Sequence, residues 1–193
     1  WGGAQVSVGS RGGGGGGGRK VCQTAEELAL FLALPNCQLS TLMAGRTSFG
    51  PQDVSHVMAR VPENSHLQKV DLSQALSSDC RCAEQKCPRC KGWHEEADAA
   101  VRAVVKAATE TSNIRELVLN ECKGLDSLMH EGLMQELSKV LRPSARLVTL
   151  KLKECNIRNK GVTFLCAYLT DNRHLEELLL DSNCITDAGV KKL

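Results

Sequence analysis

The sequence predicts an α/β solenoid, an arc with parallel strands on its concave side and helices on its convex side. Three observations predict it. A nine-residue pattern recurs five times, each copy switches from a hydrophobic period of two to one near 3.6, and the apolar residues are almost all aliphatic, with 26 leucines against 3% aromatics.

Residues 1–20 carry seven consecutive glycines, Gly12 to Gly18, followed by Arg19 and Lys20. Glycine brings no side chain to a core, so 1–20 is expected to be a disordered Gly-rich tail. A phosphate-binding loop would need a strand before it and Ser or Thr after the lysine, and Lys20 is followed by Val21. Residues 21–36 read as an N-terminal helix, either a partial repeat or a cap. Thr24 stands at its start, Glu27 three residues on completes a capping box, and Pro35 stops it.

Residues 37–193 hold about five copies: "LSTLMAGRT", "LQKVDLSQA", "IRELVLNEC", "LVTLKLKEC" and "LEELLLDSN". They open at Leu39, Leu67, Ile114, Leu147 and Leu175, separated by 28, 47, 33 and 28 residues. The unit is therefore 28, with 19 extra residues in the second copy and 5 in the third. An asparagine stands three places before the opening in three copies, at Asn36, Asn64 and Asn172, and the ninth position is Thr47, Ala75, Cys122, Cys155 or Asn183.

Within a copy, Leu150 and Leu152 alternate with Thr149, Lys151 and Lys153, which is a short strand with one face buried. Downstream, Val162, Phe164, Leu165, Tyr168 and Leu169 follow helical spacing. One strand and one helix cannot cover their own apolar face, so copies stack. Cys122 and Cys155 then fall at a small-residue position beside Ala75 and Asn183, where buried thiols act as small apolar groups.

These copies resemble the leucine-rich repeat, in the longer strand-and-helix form of the ribonuclease-inhibitor and NOD-like-receptor type, over about residues 24–193. The most specific part is "LVTLKLKECNIRNKGVTFLCAYLTDNRHLEELLLDSNCITDAGVKKL". The resemblance implies a horseshoe arc and a non-enzymatic module for protein–protein recognition, a fragment of a larger receptor, adaptor or regulator. Other relatives of this kind are ubiquitin-ligase adaptors, inhibitors and GTPase activators, so a GTPase-regulator-type repeat domain is one alternative; the other is a zinc-binding module whose working site is the Cys-rich insert in the second copy.

Strand alternation assigns the concave face. Thr41 and Met43 lie on the first strand, Lys69, Asp71 and Ser73 on the second, Glu116, Val118 and Asn120 on the third. Thr149, Lys151 and Lys153 lie on the fourth, and Glu177, Leu179 and Asp181 on the fifth. This mixture of acids, bases and isolated apolar groups suits a protein or peptide. Nucleic acid would call for clustered bases with aromatics to stack on, and the formal net charge is only +2.

The second copy's surplus is a Cys-rich insert, expected over 77–95 on the rim between strand and helix. Cys82, Cys87, Cys90 and His94 have the spacing C-x4-C-x2-C-x3-H, with Cys80 as an alternative ligand. Zinc takes four thiolate or imidazole donors, so a structural zinc clip is one reading; free thiols and disulfides or lipidation are the others. The helix is expected to resume near Glu95, with Ala97, Ala100, Val101, Val104, Val105 and Ala108 on its apolar face.

No catalytic constellation stands out, because His56, His66, His130 and His174 are scattered over different copies without a partnered nucleophile. No apolar run approaches the length of a membrane span. A chain able to bury an aliphatic core has little need of disulfides despite its ten cysteines, so a reducing compartment, cytoplasmic or nuclear, is expected.

Overall fold

The computed structural model describes residues 4–8, 20–22, 24–77, 88–110, 113–123, 125 and 131–193, with the backbone alone described at 4–8, 20–22, 88–91 and 131. Seven strands form one parallel sheet: β1 (Ala4–Val8), β2 (Lys20–Cys22), β3 (Leu39–Met43), β4 (Lys69–Asp71), β5 (Glu116–Val118), β6 (Thr149–Lys151) and β7 (Glu177–Leu179). Their order is β2-β1-β3-β4-β5-β6-β7. Between and after them run α1 (Ala25–Leu32), α2 (Pro51–Met58), α3 (Pro88–Glu110), α4 (Glu131–Leu137), α5 (Asn159–Leu169) and α6 (Asp187–Val190). From β3 onward each strand pairs with the strand of the next copy, so sequence order and spatial order coincide as the solenoid requires.

Positions 1, 4 and 6 of each copy form the buried rungs. The register aligns Leu42, Val70, Leu117, Leu150 and Leu178. The first four of these are fully buried, as are Leu72, Leu119 and Leu152 two residues further on, just past the ends of β4, β5 and β6. Burying such a side chain stabilises by about 1.5–3 kcal/mol, so the rungs supply much of the driving force. Leu178 and Leu180 are only half-buried because β7 has a neighbour on one side alone. Helices of successive copies cover the other side of the rungs, α1 on α2, α2 on α3 and α3 on α4.

Each copy leaves its strand in the same way. Position 8 takes a left-handed backbone in all five, with φ of 57° at Arg46, 68° at Gln74, 61° at Glu121, 56° at Glu154 and 55° at Ser182. Before that turn the amide of position 8 still donates to the position-7 carbonyl of the next copy, as from Arg46 to Ser73 (2.9 Å) and from Glu121 to Lys153 (2.7 Å). This inter-copy bonding outlasts the strand itself and holds the turn against the steric cost of a left-handed non-glycine residue.

Position 9 then points inward and satisfies a carbonyl of the previous copy. Asn183 donates to Leu152 O (2.7 Å), Cys155 to Leu119 O (3.0 Å) and Cys122 to Leu72 O (3.6 Å), all position-6 carbonyls. Ala75 has no donor to continue the series. The position-6 carbonyl that it would serve, Ala44 O, instead accepts the Thr47 hydroxyl of its own copy at 2.9 Å. Asn183 also accepts the amides of Cys155 (2.9 Å) and Ile157 (3.0 Å), so one side chain closes the turn of two copies.

The asparagines before the opening leucines have a matching role. Asn64 Oδ1 accepts the amides of His66 (2.8 Å) and Leu67 (3.0 Å), and Asn172 Oδ1 accepts those of His174 and Leu175, both at 2.8 Å. Asn172 Nδ2 donates back to Leu141 O in the preceding copy at 2.7 Å. At the front of the chain, the Thr24 hydroxyl accepts the Glu27 amide at 3.1 Å and starts α1, as the capping pattern predicts.

Two expectations need correction. Residues 1–20 are not structureless throughout, since Ala4–Val8 and Lys20 are strand residues. The end strand of a stack has unpaired backbone groups, and "AQVSV" has the alternation and valines that suit a place beside it. Secondly, α3 begins at Pro88 rather than near Glu95, so "PRCKGWH" is helix and not loop. Proline is favoured at a first helical position, where its missing N–H costs nothing. The rest of the expected insert, 78–87, and residues 9–19 lie outside the described residues.

Candidate functional site: the concave wall

The strands place the side chains of alternate positions in rows about 4.8 Å apart. Thr41, Lys69, Glu116, Thr149 and Glu177 share one row, and Met43, Asp71, Val118, Lys151 and Leu179 the next. Ser73, Asn120, Lys153 and Asp181 follow just beyond the strands.

Charge on this wall is largely self-paired at its centre. Glu116 Oε1 accepts from Lys69 Nζ at 2.9 Å and from Lys151 Nζ at 2.7 Å, so one carboxylate gathers lysines from the copies on both sides. Burial alone would raise the Glu116 carboxyl, but the hydrogen bonds and charges of Lys151 and Lys69 outweigh it and hold it below the usual carboxylate range. The same contact raises Lys151. Lys153 pairs with Asp181 at 3.0 Å, which lowers the Asp181 carboxyl.

Not every alternate position is open. Val118 is 5% exposed, hemmed between Asp71 and Lys151 in its row, and Ser73 is 6% exposed with its hydroxyl and amide both bonded to Asp71 Oδ1. Asn120 spends its Oδ1 on the Lys153 amide at 3.0 Å. Thr41, Met43, Thr149 and Leu179 are half-exposed, and Glu177 is exposed. Accessible groups and an acidic character thus concentrate towards β7.

Sequence reasoning missed the rim beside the wall. The left-handed position 8 turns its side chains onto one edge, where Glu121 accepts from Arg46 (2.7 Å) and from Gln74 (2.6 Å). These contacts, the Gln74 hydrogen bond foremost, lower the Glu121 carboxyl. The available signal was that position 8 is polar in every copy.

The ends of the stack differ from its wall. The exposed large apolar residues among those described, Leu30, Leu34, Val190 and Leu193, all lie in or beside the first and last helices.

Of the expected zinc ligands, Cys80, Cys82 and Cys87 lie outside the described residues, and Cys90 and His94 stand one turn apart on α3. His94 meets Trp93 edge to face with ring centroids 5.0 Å apart. Among the cysteines whose side chains are described, Cys37, Cys122, Cys155, Cys166 and Cys184 are free.

Comparison with known proteins agrees with this architecture. A family model described as "Leucine Rich repeat" matches residues 171–193. Ribonuclease inhibitor from Sus scrofa is 28% identical over 180 residues, covering 88% of this chain and 38% of that protein. Its Mus musculus counterpart is 27% identical over 188 residues, covering 91% and 38%. "NACHT, LRR and PYD domains-containing protein 14" from Homo sapiens is 28% identical over 167 residues, covering 81% of this chain and 15% of its own length. The architecture is that of the leucine-rich-repeat fold, and the repeats are similar to those of these relatives. The chain spans well under half of the relatives it matches.

Proposed function

We propose that this chain is a non-enzymatic recognition module that binds a protein or peptide on its concave wall, within a larger receptor, adaptor or regulator. The observation that carries this reading is the open sheet face, whose aligned rows hold lysines fixed by Glu116 and, at β7, exposed acidic groups beside the half-exposed Leu179. Ordering of Lys69 and Lys151 before binding lowers the entropy lost on contact. Two relatives are named as inhibitors of a ribonuclease, a function that works through another protein. Free buried cysteines fit a reducing compartment, cytoplasmic or nuclear. Among the described residues no helix is long and apolar enough to cross a membrane.

The test is quantitative affinity enrichment with the wild-type chain, a Lys151→Glu and Leu179→Glu wall variant, and a Gln52→Lys control on the convex helices. Proteins retained by the wild type and the control but lost by the wall variant support the reading. An enrichment profile untouched by the wall changes overturns it.

A second reading rests on α3. Because that helix starts at Pro88, Cys90 and His94 share one of its faces, i to i+4, immediately after Cys87. Such a set, completed by Cys82 or Cys80, would hold a structural zinc through thiolates and imidazole and order the insert. Zinc content per chain decides it. One zinc lost on replacing Cys82, Cys87 and Cys90 by serine supports the clip, and a zinc-free wild type ends it.

A further inference from the structure

β1 precedes β2 in the chain yet lies inside it, between β2 and β3. The strand that should flank β3 is that of the preceding copy, whose helix is α1. Counting one 28-residue unit back from Leu39 reaches Arg11, which puts Gly12 to Gly18 where that strand's leucines would stand. Glycine offers nothing to a rung and loses the most backbone freedom on ordering.

β2 does not replace that strand either. Only three positions separate Cys22 from Ala25, against eight from Met43 to Pro51, from Lys151 to Asn159 and from Leu179 to Asp187. There is no room after β2 for the left-handed turn and inward ninth residue of a regular copy. The seat beside β3 is therefore vacated by its own repeat and filled by Ala4–Val8 in parallel register. Gln5 pairs with Thr41, Val6 with Leu42 and Ser7 with Met43. By backbone register, Val6 is thus in line with Leu42, Val70, Leu117 and Leu150.

We propose that the edge of β3 covered by Ala4–Val8 is a docking seat for an extended peptide, separate from the concave wall, and that Ala4–Val8 is its occupant in cis. The ligand class is a parallel strand of alternating pattern with a β-branched residue in register with Leu42. Backbone hydrogen bonds supply the affinity and the rung supplies the selection. A tethered occupant acts at high effective concentration, so only a tighter strand from another chain displaces it.

Hydrogen exchange on the full chain tests this. In the wild type, residues 4–8 and 39–43 are expected to be protected. Val6→Pro removes an amide and breaks the strand, so 39–43 should exchange about tenfold faster while β6 (149–151) stays protected. Adding the blocked peptide Ala-Gln-Val-Ser-Val should restore protection at 39–43, and the same peptide with aspartate as its third residue should not. The proposal is overturned if 4–8 exchanges in the wild type at the rate of an unstructured peptide. It is equally overturned if Val6→Pro leaves 39–43 unchanged or exposes β6 as well, or if the added peptide restores nothing.

Discussion

The Cys155 thiol donates to the carbonyl oxygen of Leu119 at 3.0 Å, tying the fourth copy to the third at the turn that ends each strand. Asn183 makes the equivalent bond one copy later, to Leu152 O at 2.7 Å. Cysteine and asparagine are thus alternatives at one structural position. Cys155→Ala leaves Leu119 O without that donor and opens a small void, and is expected to cost about 1–2 kcal/mol. Cys155→Asn supplies a donor again and should recover at least half of that loss in urea unfolding.

Burial separates the thiols by reactivity. It pushes Cys155 up to about 12 and Cys122 higher still, whereas Cys184 is exposed. At neutral pH an alkylating reagent should modify Cys184 in the native chain and reach Cys122 and Cys155 only in denaturant, as read by peptide mass spectrometry. These two thiols are raised in the folded state, so their stabilising effect is complete below the ordinary thiol value of about 8.5. It declines as pH climbs above that value, because the unfolded chain ionises first.

Glu116 acts in the opposite pH range. Its folded carboxyl is held below the ordinary range by Lys151 and Lys69, so the unfolded chain takes up its proton first on acidification. The stability it contributes is present above about pH 4.3 and is lost as pH falls through the lower folded value. Glu116→Gln should therefore be less stable than the wild type at pH 7, by about 1 kcal/mol for a partly exposed pair of contacts. The difference should shrink at pH 3, and an unchanged difference would contradict the assignment.

Gly45 sits where the wall is tightest. A Cβ there would stand 2.6 Å from Asp71 Oδ1 and 3.0 Å from the Ser73 amide. Gly45→Ala is expected to destabilise by about 1–3 kcal/mol through that overlap. Asp71→Ala removes the obstructing carboxylate but also the Ser73 contacts, so the double variant should lose clearly less than the sum of the two single changes.

Much of this architecture is legible in the chain because the repeat makes local patterns speak for distant contacts. Once Leu147, Leu150 and Leu152 are aligned with Leu67, Val70 and Leu72, strand, rung and wall positions follow for every copy. What escapes is what depends on a neighbour's identity. Thr47 bonds Ala44 O, the carbonyl that Ala75, one copy on, has no donor to reach. Val118 alternates like its wall neighbours yet is covered by what flanks it. The helical start at Pro88 was obscured because the cysteines of "CPRCKGWH" suggested a metal loop, although only Gly92 disfavours a helix after Pro88. The place of Ala4–Val8 depends on which segment wins the edge of β3, and no periodicity within "AQVSV" encodes that.

The concave wall as the recognition surface is tested most directly by cross-linking a captured partner through lysines and locating the links by mass spectrometry. The account predicts that they concentrate on Lys69, Lys151 and Lys153 and are suppressed in the Lys151→Glu and Leu179→Glu variant. Links falling instead on Lys106 and Lys191, which are exposed away from the strands, would contradict it.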